Sequence, residues 1–236
     1  MEEPKRIQYS SDNPVLNNPY LEPKFHYDTD VDGNVDYSTI INGRRPYGYD
    51  ISIVPQKAKL VKALFTQEDF SSNNPNSDFI NGIRKEVKTW RTAGYPKASR
   101  ITKELLDFWF SNSQRLPQQR LFFCQQEAVE TAVWLNEIAD KDANMGNFYL
   151  RELQDRRHTV SNDDDDILPR TAFKMATGTG KTVVMAMLIL YHYLNKKANP
   201  MDTRYADHFL VCAPGITIRD RLGVLHLDNS QRSNNY

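Results

Sequence analysis

Cysteine is nearly absent. Cys124 and Cys212 are the two in 236 residues, and each lies inside an apolar stretch. That excludes a disulfide framework and fits the reduced thiols of a cytosolic protein. A net charge is lacking too: Lys+Arg and Asp+Glu both total 30, a formal balance of zero. No global basic field therefore draws in nucleic acid, and any such contact has to be local. No apolar run is long enough to cross a bilayer, since the longest, Val183–Leu194, is too short and follows a lysine, and Met1-Glu2-Glu3-Pro4-Lys5-Arg6 lacks the apolar core of a leader. A soluble, cytoplasmic protein with no membrane partner is expected. The histidines, His26, His158, His192, His208 and His226, show no metal-ligand spacing. What the chain does have is 39% hydrophobic residues, enough for a real core.

From Met1 to about Gln56 the chain is rich in Pro, Asn, Asp and Tyr, with turn signals at Asp32-Gly33 and Asn42-Gly43 between short β-like segments. Hairpins and extended chain are expected there, and a polar linker over Gln67–Ser77. Three helices follow. Ile80, Ile83, Val87 and Trp90 share a face of a helix ending near Gly94; Leu105, Leu106, Trp109 and Phe110 mark Thr102–Phe110; Ala128, Ala132, Leu135 and Ala139 mark Cys124–Ala139. Stripes of this kind are chiefly packing signals. Lys141–Asp166 loses apolar periodicity and ends in Asp163-Asp164-Asp165-Asp166, a solvated insertion lacking the glycine and spaced ligands of a calcium loop. The expected organisation is an accessory region over 1–77, a helical segment over 78–140, a polar acidic insertion over 141–168, and the start of a nucleotide-binding lobe over 169–236.

The chemistry concentrates in that last segment. Thr171–Met175 reads as a strand, Ala176-Thr177-Gly178-Thr179-Gly180-Lys181-Thr182 as a glycine-rich turn, and Val183–Leu194 as a helix. In that order the loop can wrap its N–H groups round phosphate oxygens while the helix presents open amides and a positive dipole end. Thr177, Gly178, Thr179 and Gly180 form the cradle, where a Cβ on either glycine would obstruct the close approach. Lys181 supplies a charge to the β- and γ-phosphates, and the Thr182 hydroxyl can join a Mg²⁺ shell, so ATP and Mg²⁺ are the expected cofactors. The bare pattern G-x-x-x-x-G-K-[ST] fails at its first position, where Met175 stands. His208–Pro214 reads as the next strand, which completes a βαβ unit and predicts an α/β core with a parallel sheet and helices on both faces.

In these residues the chain resembles a superfamily 2 helicase, whose P-loop needs no first glycine; Ala176–Thr182 is similar to helicase motif I. Phe209–Leu222 resembles motif Ia of the branch that includes type III restriction enzyme helicase (Res) subunits. Leu121-Phe122-Phe123-Cys124-Gln125-Gln126-Glu127-Ala128-Val129 is similar to the segment whose glutamine reads adenine in these motors. Asn18–Pro23, Gly43–Pro46 and Ile83–Arg91 with Gly94-Tyr95-Pro96 look like the region preceding the motor in restriction-type Res proteins. The resemblance implies a RecA-like lobe, with Lys181 catalytic, Gln125 at the adenine and Thr182 at the metal. No Asp-Glu-x-His-type motif follows motif Ia, so an incomplete lobe, the N-terminal part of a longer protein or a truncated product, is expected.

The implied activity is that of an ATP-dependent DNA helicase or translocase subunit of a restriction system, with a methyltransferase subunit as a further partner. Gly215, Thr217 and Arg219 are the candidate DNA contacts: Thr217 can cap a helix with Asp220 three residues on, leaving amides for a phosphate of the strand, and Arg219 can add charge. Capping alone explains the same pattern. Gly43-Arg44-Arg45-Pro46 with Tyr47 and Tyr49 has the composition of a nucleic-acid patch, although short clusters of this kind usually sit on solvated turns. A different P-loop ATPase or kinase, and a non-catalytic remnant that binds DNA or a partner, stand as the alternatives.

Overall fold

A computed structural model describes residues 17–29, 35–47, 75–111, 119–141, 145–160, 171–212 and Leu222. The turn at Asp32-Gly33, the run Asp163–Asp166 and the motif Ia residues Gly215, Thr217 and Arg219 lie outside them. The chain divides into two compact units, one of Met1–Thr89 with Arg151–Ile167 and the other of Trp90–Leu150 with Leu168–Tyr236.

In the first unit, β1 (Phe25–Thr29) and β2 (Val35–Asn42) pair antiparallel. The register runs Phe25 to Asn42 and Tyr27 to Ile40, then jumps so that Asp28 faces Asp36. The extra residues of β2 turn on Asp36, whose carboxylate accepts from the Ser38 amide at 2.8 Å and hydroxyl at 2.5 Å. Such a bulge sharpens the local twist. Gly43, at φ +101°, takes the chain out of β2 where another residue would be strained.

Helix α1 (Pro75–Thr92) starts inside the expected linker. Proline is well placed at a first helical position, because its missing N–H has no intrahelical partner there anyway. The buried face carries Phe79, Ile83, Val87 and Trp90, with Phe79 where the sequence suggested Ile80. The helix stops at Thr92, and Gly94 turns at φ +74° with its N–H donating to the Arg91 carbonyl at 3.0 Å.

The second unit is helical among its described residues. Helix α2 (Arg100–Leu106) is capped by the Ser99 hydroxyl, which accepts from the Thr102 N–H at 3.0 Å, and a wider π-type turn carries it on through Asp107–Ser111. Helix α3 (Phe123–Val133) likewise continues through a π-type turn, Trp134–Ile138, and a 3₁₀ turn, Ala139–Lys141. Its buried apolar residues are Phe123, Val129, Val133, Trp134, Ile138 and Ala139, so of the expected stripe Ala139 is buried while Ala128, Ala132 and Leu135 are half-buried. Helix α4 (Met145–Val160) occupies most of the expected insertion. Gly146 lets it pass against the Ala139 carbonyl, where a Cβ would collide, and Tyr149 is buried edge-on to Trp134 at 6.2 Å. Helix α5 (Lys181–Ala198) buries Val184, Met187, Tyr191 and Asn195 on one side, while Met185, Leu190, Tyr193 and Leu194 are exposed.

The protein is thus mixed α/β with a two-stranded sheet among the described residues. Thr171–Met175 and residues 208–212, expected as parallel strands, carry no β-ladder here. An apolar run supplies only half of a strand; the other half is a hydrogen-bonding neighbour, which local sequence does not name.

Candidate functional site

The glycine-rich turn runs directly into α5. Gly178 and Gly180 adopt φ +80° and +75°, the left-handed region that side chains disfavour. The two differ in their surroundings: nothing lies within 4 Å of a Cβ built at Gly178, whereas one at Gly180 would strike the Gln125 amide nitrogen. Gly180 is also the N-cap of α5, and its carbonyl accepts from the Val183 and Val184 amides at 2.9 and 3.3 Å. Among the described residues no hydrogen bond closes on the Lys181 and Thr182 amides, so the helix offers them, with its positive dipole end, as open donors. The Ala176 carbonyl gathers the loop from inside, accepting from the Thr179 hydroxyl at 2.7 Å and from the Lys181 ammonium at 2.7 Å. Lys181 is exposed.

Gln125 stands 55 residues away in sequence yet abuts the loop. Its amide oxygen accepts from the Phe122 N–H at 2.7 Å, one half of a capping box at the start of α3, and its amide nitrogen approaches the Gly180 carbonyl at 3.5 Å. The side chain is 4% exposed, so in this arrangement it braces the loop with both ends of its amide engaged. Cys124 beside it is a free thiol whose pKa is pushed up by burial.

Sequence patterns did not point to the groups that hold α5. The carboxylate of Glu137, fully buried, accepts from the Ser99 N–H at 2.5 Å, the Thr102 hydroxyl at 2.8 Å and the Tyr191 hydroxyl at 3.3 Å. Asn195, also fully buried, accepts from the Ser99 hydroxyl at 2.6 Å and donates to Thr102 at 3.1 Å. Helices α2, α3 and α5 are thereby tied by one satisfied polar network. A second buried carboxylate, Glu130, accepts from Arg91 Nε at 2.6 Å, the Tyr95 hydroxyl at 2.7 Å and Gln126 at 2.8 Å. Desolvation raises the Tyr95 and Tyr191 pKa values, and Glu130 and Glu137 reinforce this by disfavouring phenolate beside them.

Thr177, Gly178, Thr179, Gly180, Lys181, Thr182 and Gln125 therefore share one place, whereas Gly215, Thr217 and Arg219 are outside the described residues. Among the described residues no three His, Cys, Asp or Glu side chains converge as a metal cage, and no helix is long and apolar enough to cross a membrane.

The family model described as type III restriction enzyme, res subunit, matches residues 118–229, just under half of the chain. No curated protein and no solved structure matches.

Proposed function

Starting from a segment of the type III restriction enzyme res subunit kind over residues 118–229, which indicates a helicase-like ATPase of the restriction-enzyme type, we propose that this protein binds MgATP on the loop Ala176–Thr182 and uses it to drive movement on DNA. The observation that carries the reading is the left-handed Gly180 feeding α5 with Lys181 and Thr182 at its open N-terminus. Backbone amides bind phosphate oxygens there without reorganising, which is the kind of preorganised electrostatics that phosphoryl transfer needs. Lys181 would exchange the Ala176 carbonyl for phosphate oxygens, and the Thr182 hydroxyl would hold Mg²⁺. The metal would supply charge neutralisation between the phosphates. Gln125 serves the nucleotide end by fixing Gly180; to read adenine as well, its amide would turn from the loop. In this reading the lobe completes a RecA-like parallel sheet, with Thr171–Met175 and His208–Pro214 as two of its strands. Gly215, Thr217 and Arg219 meet DNA phosphates, and a methyltransferase subunit is the partner.

The test is nucleotide binding and DNA-stimulated ATP hydrolysis by the whole protein, wild type beside Lys181→Ala. Loss of a charge-assisted contact of this kind weakens MgATP binding by about tenfold or more and removes turnover. Unchanged affinity and turnover in that variant would remove the P-loop from the chemistry.

A further inference from the structure

The first unit contains a cavity of about 470 Å³ that the nucleotide chemistry does not use. Its walls come from four places: Asn17 and Pro23 before β1, Phe25 and His26 of β1, the segment Arg44-Arg45-Pro46-Tyr47 after β2, and Arg84 of α1. Three guanidinium groups, a histidine and two aromatic rings thus face one space, and among the described residues no carboxylate side chain lines it.

The walls are fixed by hydrogen bonds. Asn81 of α1 clasps the backbone of Tyr47 at two points, accepting from its N–H at 2.8 Å and donating to its carbonyl at 3.2 Å. His26 Nδ1 lies 2.9 Å from the Gly43 carbonyl, and the Gly43 N–H donates to Lys24 at 2.6 Å, which closes the base of the segment on β1. Asn17 donates to the Phe25 carbonyl at 2.8 Å and accepts from the Lys24 and Phe25 amides. The Arg84 guanidinium carbon lies 5.6 Å from the centre of the Tyr47 ring, a guanidinium–aromatic pair, and its Nη1 donates to the Asn81 side-chain oxygen at 3.5 Å.

We propose that this cavity is a binding site for single-stranded nucleic acid, separate from the P-loop, in which Arg44, Arg45 and Arg84 hold successive phosphates and Tyr47 and Phe25 stack bases. Guanidinium forks match phosphate geometry, and aromatic faces beside them are what a strand offers and a lone phosphate group does not. The volume falls in the range of pockets that take one ligand of nucleotide size, so the strand fills it with one nucleotide and its neighbours lie outside. Phe25 is 41% exposed, a large ring left at the rim where a base can reach it. In a chain of zero net charge, such a local cluster is the only kind of basic surface on which a strand can settle. The proposal extends the DNA-motor reading by giving the N-terminal unit its own hold on the displaced strand.

The experiment is a salt titration of a fluorescent oligothymidylate by anisotropy, using the whole protein, wild type beside Arg44→Gln/Arg45→Gln. Two lost phosphate contacts make the plot of log affinity against log salt shallower by about 1.4 and weaken binding by tenfold or more. Unchanged affinity and slope in the double variant overturn the site. A duplex of equal length binding as tightly as the strand, or inorganic phosphate displacing the strand at comparable concentrations, overturns its assignment to single strands. Should the variant fold poorly, photocrosslinking of a bromouridine-substituted strand to the wild-type protein decides: adducts on Tyr47 or Phe25 support the site, and adducts only elsewhere overturn it. Lys181→Ala is carried through the same titration. Its affinity for the strand stays at wild type, so a failure of the ATPase reading and a failure of this site show in different assays.

Discussion

Replacing Gly180 with alanine tests the reading of the loop more sharply than replacing its lysine, because the two glycines of the turn predict different outcomes. At φ +75° a side chain costs about 1–2 kcal/mol in backbone strain. At Gly180 the new methyl group also meets the Gln125 amide. That side chain has little freedom to retreat: it is buried, and its oxygen is committed to the Phe122 N–H at 2.7 Å. Displacing it forfeits a hydrogen bond worth about 1 kcal/mol. Gly180→Ala should therefore destabilise the protein by about 2–3 kcal/mol, whereas Gly178→Ala, with similar φ but open space around it, carries only the backbone cost of about 1–2 kcal/mol. Removing the obstacle should recover the difference, so Gly180→Ala in a Gln125→Ala background is less costly than the sum of the singles by about 1 kcal/mol. The assay is urea denaturation followed by circular dichroism across the four proteins of the cycle and Gly178→Ala, with affinity for a fluorescent ATP analogue measured in parallel. Equal losses at the two glycines together with strict additivity would refute the claim that Gln125 braces the loop.

Glu130→Ala should cost about 3–5 kcal/mol in the same denaturation assay, since it leaves the Arg91 guanidinium without its buried partner; Tyr95→Phe, which removes one neutral donor, should cost about 1 kcal/mol. Alkali should unfold the second unit from about pH 10 upward. Burial raises the Tyr205 pKa from 10.0 to about 12 and that of Tyr191 further, so the folded state retains protons that the unfolded chain releases, and stability present below pH 10 is lost between pH 10 and 12. Tyr205→Phe should flatten that loss in a stability–pH profile, and a profile of unchanged slope would count against the assignment. At the acid end the Arg204 guanidinium holds the Asp202 carboxyl down to about 2, a contribution lost as pH falls from about 4 to 2 that Asp202→Asn should abolish.

The glycine-rich turn and the helix after it were legible because everything that marks them is contiguous: two glycines, a lysine, a threonine and an apolar run within one short stretch. The three helices over 79–139 were legible as well, and part of their buried faces with them: Ile83, Val87, Trp90, Leu106, Trp109 and Ala139 are buried as expected. Phe79 and Val133 outcompete Ile80 and Ala132 for reasons of volume and neighbours that a periodicity count ignores. Helix α4 was not legible because Tyr149 is its one large buried side chain among the described residues, too little to make a periodicity, and because the value of Gly146 lies in the Ala139 carbonyl it passes. Glu130 and Glu137 carry no sequence signal of burial. Only the folded chain brings Arg91, Tyr95, Ser99 and Thr102 to them. The cavity around Arg84 was half visible: Arg44, Arg45 and Tyr47 stood out as a cluster, while the third arginine arrives from a helix some forty residues on.

The Glu137 and Asn195 network has a mechanical meaning. Apolar contacts resist separation but allow a helix to roll about its axis, whereas hydrogen bonds from fixed directions do not. Asn195 is bonded to both Ser99 and Thr102, so it acts as a key in a slot and sets the rotational phase of α5. Because an α-helix is stiff in torsion, that phase is transmitted along about 21 Å to the other end. The azimuth at which Lys181 leaves the helix is therefore chosen by an amide fourteen residues away, at the far end of α5 from the glycine-rich turn.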